Sequence, residues 1–210
     1  MGDWQPVPGL LESLRGGVAG SDSSAPRPFF LASPLEEPLV ALGDRAQWQA
    51  EWKWDGIRGQ LIRWAGSAFL WSRGEELINA SFPELIGASA ALPPGTVLDG
   101  EILVWPPGEP QPSPFAQLQR RLGRKAPGRQ LLAECPTAFV AYDLLERDGE
   151  DWRPRPLHQR RSALEALLQE LPQAAQAPGA ERQPAQQQPC RRMGGAGTGD
   201  EIQSQRAHGQ

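Results

Sequence analysis

The sequence predicts an α+β domain in which antiparallel strands are flanked by short helices. Three observations carry that expectation. Segments between Gln47 and Leu145 read as strands and are separated by Ala65-Gly66, Pro93-Pro94-Gly95 and Arg147-Asp148-Gly149, dipeptides and tripeptides that close tight turns. Apolar residues at helical spacing recur in the gaps and after the last strand. The chain has 210 residues, 39% hydrophobic and 22% charged, which is enough for one well-buried domain or at most two small ones.

Taken in order, residues 1–28 are rich in Gly, Ser and Pro, with only Leu10, Leu11 and Leu14 hinting at a helical turn, and read as a linker or the remnant of a join to something larger. From Gln47 to Lys53 the pattern alternates, Trp48, Ala50 and Trp52 on one face and Gln47, Gln49, Glu51 and Lys53 on the other, so Lys53 faces away from the tryptophans and Trp48 and Trp52 are expected in the core. Further strands are expected at Ile57–Trp64, Ala68–Ser72, Val97–Trp105 and Ala138–Leu145. Phe82, Leu85 and Ile86 predict one helix, Phe115, Leu118 and Leu122 a second, and Leu157 to Leu171, behind Pro156, a longer third. Residues 172–210 contain no Leu, Val, Phe, Trp or Tyr and nine Gln, so they cannot bury enough apolar area to offset ordering entropy and are expected to be disordered. Residues 29–171 are therefore the ordered domain.

No stretch approaches 18 apolar residues, and the start MGDWQPVPGL has neither a basic nor an apolar signal region, so the expectation is a cytoplasmic chain without a membrane partner. Cys135, Cys190, His158 and His208 lie in unrelated contexts, which argues against a disulfide framework or a Cys/His zinc site. Net charge is -4, so the chain is no basic nucleic-acid coat, although a local arginine-lined groove is compatible with it. Of the 21 Lys and Arg residues 19 are arginine, leaving only Lys53 and Lys125 as amines.

The sharpest local feature is Glu51-Trp52-Lys53-Trp54-Asp55-Gly56-Ile57-Arg58, where a strand runs into a Gly turn that presents a lysine, an acid and an arginine together. An amine near a guanidinium or a bound metal would be lowered toward nucleophilic competence. A solvated strand edge explains the same string. Asp99 and Glu101, two apart on a strand, share a face and read either as an exposed acidic pair or as part of a site. Arg120, Arg121, Arg124, Lys125 and Arg129 read either as a solvated face or as a DNA-backbone contact.

The string K-x-D-G-x-R resembles the nucleotidyl-transfer motif of the covalent nucleotidyltransferases, which comprise ATP-dependent DNA ligases, RNA ligases and mRNA capping enzymes. Further segments match in order: Ser72-Arg73-Gly74 with Ser81-Phe82-Pro83-Glu84-Leu85, then Leu98-Asp99-Gly100-Glu101-Ile102, then Phe139-Val140-Ala141-Tyr142-Asp143-Leu144-Leu145, and finally Asp148-Gly149 with Pro156-Leu157 and Arg160-Arg161. The F-P-E-L and P-L-x-x-R-R elements resemble DNA ligases of bacterial type more than capping enzymes. The resemblance implies an ATP-grasp-like adenylation domain of antiparallel sheets, ATP and Mg²⁺ as cofactors, and a monomer acting on nicked double-stranded DNA in repair, replication or recombination. It implies that Lys53 attacks the α-phosphate of ATP to give lysyl-AMP. It further implies that Arg58 and Arg73 hold phosphate and ribose oxygens, that Glu101 binds ribose or supports the metal, that Tyr142 stacks on adenine, that Glu51 contacts adenine, and that Asp143 braces the site. Tyr142 stands where the family usually has Phe. A nucleotide- or DNA-binding module without catalysis, and an RNA ligase or capping-type enzyme, are the alternatives.

Two family segments are absent from these 210 residues, an E-G-[LVI]-[MV]-[LV]-K strand and a later K-x-K strand, as is the oligonucleotide-binding domain that closes over the adenylate. The expectation is a partial adenylation domain, incomplete at its C-terminus and impaired in activity, with residues 172–210 a frameshifted or unrelated tail.

Overall fold

The computed structural model describes residues 23–31, 34–124, 126–172 and, as backbone, 203–206. Its centre is a five-stranded antiparallel sheet with strand order β3-β2-β4-β5-β6, built from β2 (Ile57–Trp64), β3 (Ser67–Ser72), β4 (Thr96–Val104), β5 (Thr137–Arg147) and β6 (Glu150–Asp151). β2 has the expected bounds, and past the Ala65-Gly66 turn its register with β3 brings Leu61 opposite Leu70. β4 is flanked on both sides and is buried along nearly its whole length, which is why its sequence is a continuous apolar run broken only by Asp99-Gly100-Glu101.

Among the described residues four α-helices accompany the sheet: α1 (Pro83–Ala88), α2 (Phe115–Gln119), α3 (Arg129–Glu134) and α4 (Leu157–Glu170). α4 starts after Pro156, whose ring suits a helix entry, and packs Leu164 and Leu167 into the main core with Leu61, Leu98, Ile102 and Leu144. α3 adds to the three helices expected from sequence; its six residues offer only Leu131 and Leu132 as large apolar anchors, too few to mark a period. Among the described residues no helix is long and apolar enough to cross a membrane.

β1 (Trp48–Glu51) pairs outside the main sheet with β7 (Gln203–Arg206), antiparallel. Such a two-stranded ladder is closed by main-chain N–H and C=O groups and needs no large apolar residue. Residues 173–202 and 207–210, with the expected helical turn at Leu10 to Leu14, lie outside the described residues.

Candidate active site

β1 stops at Glu51, two residues before the expected end, and residues 52–56 cross to β2 without regular structure. Trp54 anchors this loop, packing with Leu103, Trp105 and Ala138, its ring centroid 5.6 Å from that of Trp105. Trp52 is 67% exposed, so its expected place in the core is corrected; the alternation that would have turned it inward ends with the strand. Lys53, between the two tryptophans, has an exposed side chain. At Gly56 the chain passes so close to β4 that a Cβ would lie 2.3 Å from the Ile102 carbonyl oxygen, and the Gly56 N–H donates to the Glu101 carboxylate.

β2 then places Arg58 directly opposite Glu101 and Gln60 opposite Asp99, so the four side chains share one face of the sheet. Arg58 forks onto Asp99, Nε to Oδ1 at 3.2 Å and Nη2 to Oδ2 at 3.0 Å. Asp99, to which the sequence assigns no role of its own, is 3% exposed, which removes the exposed-pair reading for it. Burial raises its carboxyl, and the Arg58 guanidinium works against that rise. Glu101 lacks such a fork. Burial pushes its carboxyl up to about 7, against the opposing pull of the Gly56 N–H and Arg58 and with the help of Asp99 and Asp55. Gly100 between the two acids is required by packing, since a Cβ there would meet the Val140 carbonyl oxygen at 2.5 Å.

Tyr142 owes its position to a break in the ladder. Asp143 pairs with Asp99 and Ala141 with Gly100, so Tyr142 has no partner across β4 and sits in a bulge. The Arg58 Cζ lies 5.6 Å from its ring centroid and the same distance from that of Phe29. Burial, then the charge of Asp99, pushes the Tyr142 hydroxyl above its ordinary range. Asp143 accepts both arms of Arg160, at 2.8 and 2.9 Å, tying α4 to the bulge.

The remaining expected residues are placed differently. Arg73 is exposed and meets Arg58 through its backbone, its N–H donating to the Arg58 carbonyl at 3.0 Å. Glu51 accepts a hydrogen bond from the Gln49 side chain and lies 4.0 Å from Arg161 of α4; burial raises its carboxyl. Of the arginine run, Arg121 has no exposed surface and is paired with Glu84, which removes it from any DNA-facing role, and Arg120 is paired with Glu134. Arg124 and Arg129 are exposed, and Lys125 lies outside the described residues. Gly59 faces Gly100 across the antiparallel β2/β4 pair, strands that are not consecutive in the chain, and this sets Arg58 and Asp99 diagonally on one face.

One sheet face thus brings together a carboxylate-anchored arginine, a raised glutamic acid and an aromatic ring, and the loop that carries exposed Lys53 passes Glu101 at Gly56. Residues 30–186 match the family described as ATP dependent DNA ligase domain. A probable DNA ligase of Koribacter versatilis is 38% identical over 145 residues, 69% of this chain and 25% of that protein. DNA ligase C2 of Mycolicibacterium smegmatis is 42% identical over 118 residues, 55% of this chain and 32% of that protein. Among solved structures, the ligase domain of M. tuberculosis LigD aligns with a TM-score of 0.52 at 29% identity, covering 67% of this chain and 44% of that one. A mycobacterial DNA ligase D complexed with ATP and MES aligns with a TM-score of 0.50 at 30% identity, covering 60% and 38%. The chain spans 12% of the length of a further relative, a probable DNA ligase of Opitutus terrae, and 25% and 32% of the two curated relatives above.

Proposed function

This chain belongs to the ATP-dependent DNA ligase domain family, and from that premise we propose that it is the part of a DNA ligase in which Lys53 is adenylated by ATP. The observation that supports this reading is the convergence on one sheet face of Arg58, Asp99, Glu101 and Tyr142 beside the loop that exposes Lys53. The Lys53 nitrogen attacks the α-phosphorus of ATP, forming a P–N bond as the P–O bond to pyrophosphate breaks in line, and the amine releases its protons to solvent. The AMP then passes to a 5′-phosphate at a nick in duplex DNA, its P–N bond to Lys53 breaking as a phosphoanhydride forms, and attack of the 3′-hydroxyl on that 5′-phosphate seals the strand and expels AMP. Ligation of this kind serves repair, replication or recombination.

The roles follow from chemistry already described. Arg58, oriented by Asp99, offers a planar donor to phosphate or ribose oxygens, and exposed Arg73 offers a second. Tyr142 supplies a ring face for adenine. Glu51 is turned toward Gln49 and Arg161, so an adenine contact from it requires that arrangement to open. Mg²⁺ is held through one or two carboxylates together with substrate phosphates rather than by an all-protein cage. Glu101, a carboxylate without an arginine fork, would be the side chain that holds the ion together with the phosphates. When bound, the ion neutralises charge developing on the phosphates.

The test is incubation of the purified chain with α-labelled ATP and Mg²⁺. Label that survives denaturation and disappears in Lys53→Ala supports adenylation. ATP binding without retained label would leave a binding module, and retained label in Lys53→Ala would assign the nucleophile elsewhere.

A further inference from the structure

Gln60 has no exposed surface, and it lies two residues from Arg58 on the same face of β2. Both ends of its amide are taken by the main chain of one residue: the Arg27 N–H donates to Oε1 at 2.7 Å, and Nε2 donates to the Arg27 carbonyl at 3.0 Å. The Arg27 side chain forks onto Glu146 of β5, itself 8% exposed, at 2.5 and 2.8 Å. Trp71 of β3 donates its indole N–H to the Ser24 carbonyl at 2.7 Å. Residues 24–27 are therefore pinned to three strands at once. Two residues later the Phe29 ring lies 5.6 Å from the Arg58 Cζ, and the next carbonyl, of Phe30, accepts a hydrogen bond from the same guanidinium.

Burying an amide and a carboxylate in a sheet face is costly unless both are paired, and apolar residues would pack the same face without that cost. What the polar arrangement adds is a fixed register for the arm. We propose that residues 24–30 form a wall of the nucleotide site and that Arg27 is a positioning residue, acting through Phe29 and Arg58; this rests on the nucleotidyl-transfer reading above. With Asp99 at one edge and two rings beside it, Arg58 meets the nucleotide in one orientation, and little rotamer freedom remains to be lost on binding.

The test compares the wild-type chain with Arg27→Ala, Gln60→Leu and Phe29→Ala. Hydrogen exchange of the 23–31 segment reports arm docking, and equilibrium binding of labelled ATP and single-turnover adenylation report its consequence. In Arg27→Ala and Gln60→Leu the arm exchanges faster, ATP binds about tenfold more weakly, and the adenylation rate at saturating ATP stays within about threefold, as loss of preorganised ground-state binding requires. Arg27→Lys, which keeps the charge without the fork, falls between. Phe29→Ala, which leaves the Arg27 bonds to Gln60 and Glu146 in place, weakens ATP binding with the arm still protected near Arg27. Arm release with unchanged ATP affinity overturns the proposal, as does weakened binding in Arg27→Ala with the arm still docked. Failure of the wild-type chain to bind ATP overturns the nucleotidyl-transfer reading and the proposal with it, and the arm-exchange data distinguish that outcome.

Discussion

Arg121 separates the two readings of the arginine run more sharply than any other residue. Its side chain has no exposed surface, and its guanidinium bonds Glu84 at 2.8 and 3.0 Å, the Cys135 carbonyl at 2.9 Å and the Ser81 carbonyl at 2.6 Å. Its Cζ also lies 5.2 Å from the Phe82 ring centroid. Arg121→Met keeps most of the buried stem while removing every donor. Glu84, 31% exposed, is then left with Thr137 as its side-chain partner at 2.5 Å, and two carbonyls lose a hydrogen bond. Breaking a buried pair from one side costs about 3–5 kcal/mol, and the partial exposure of Glu84 points to the lower end, about 3 kcal/mol. For a domain of this size that corresponds to a Tm lower by about 10 °C. Urea unfolding followed by circular dichroism measures the loss directly. Arg121→Met combined with Glu84→Leu removes both charges and returns stability to within about 1 kcal/mol of wild type. Burial pushes the Glu84 carboxyl up, but bonds from Arg121 and Thr137 outweigh it and hold it below 4.5. The pair's contribution is thus complete above about pH 4.5 and is lost as pH falls through the lower folded value, so the gap between wild type and Arg121→Met narrows in acid. A loss under about 1 kcal/mol, or a gap that does not narrow, would refute the internal-anchor argument.

Three further outcomes are expected. Gly100→Ala forces a methyl to within 2.5 Å of the Val140 carbonyl oxygen and 2.7 Å of the Phe139 ring, so stability falls by about 1–3 kcal/mol in denaturant titration and lysyl-AMP yield falls beyond what unfolding explains. Asp99→Asn removes the charge that fixes Arg58 while keeping the shape; single-turnover adenylation slows by about tenfold or more, and an unchanged rate would show that Arg58 needs no anchor. Tyr142→Phe keeps the ring and leaves ATP affinity within about twofold, whereas Tyr142→Ala weakens it by about fivefold, and equal effects of the two would assign the role to the hydroxyl instead.

What could be read in the sequence, and what could not, divides along the range of the interactions. β2 and the Ala65-Gly66 turn are legible because turn chemistry and strand-favouring runs are local, and the edges of β3, β4 and β5 lie within two residues of expectation for the same reason. Tyr142 was placed on a strand, but its bulge was not foreseen: Phe139 to Leu145 is apolar on both faces apart from Asp143, so no period marks the residue that drops out of register. Trp52 was misplaced because the strand was extended through it, and the loop's course is set by the close pass of Gly56 over Ile102, a contact across 46 positions that spacing does not encode. The Arg27 clamp is the extreme case, joining residues 119 apart. One local anomaly did announce it. Gln60 interrupts a run that is otherwise buried and apolar at Leu61 and Ile62, and a buried amide in a central strand obliges the fold to bring it a partner. The same argument applies to Asp99-Gly100-Glu101 within β4. Polar residues that break a buried strand's pattern mark where the fold holds its chemistry, even when the sequence does not name what they bind.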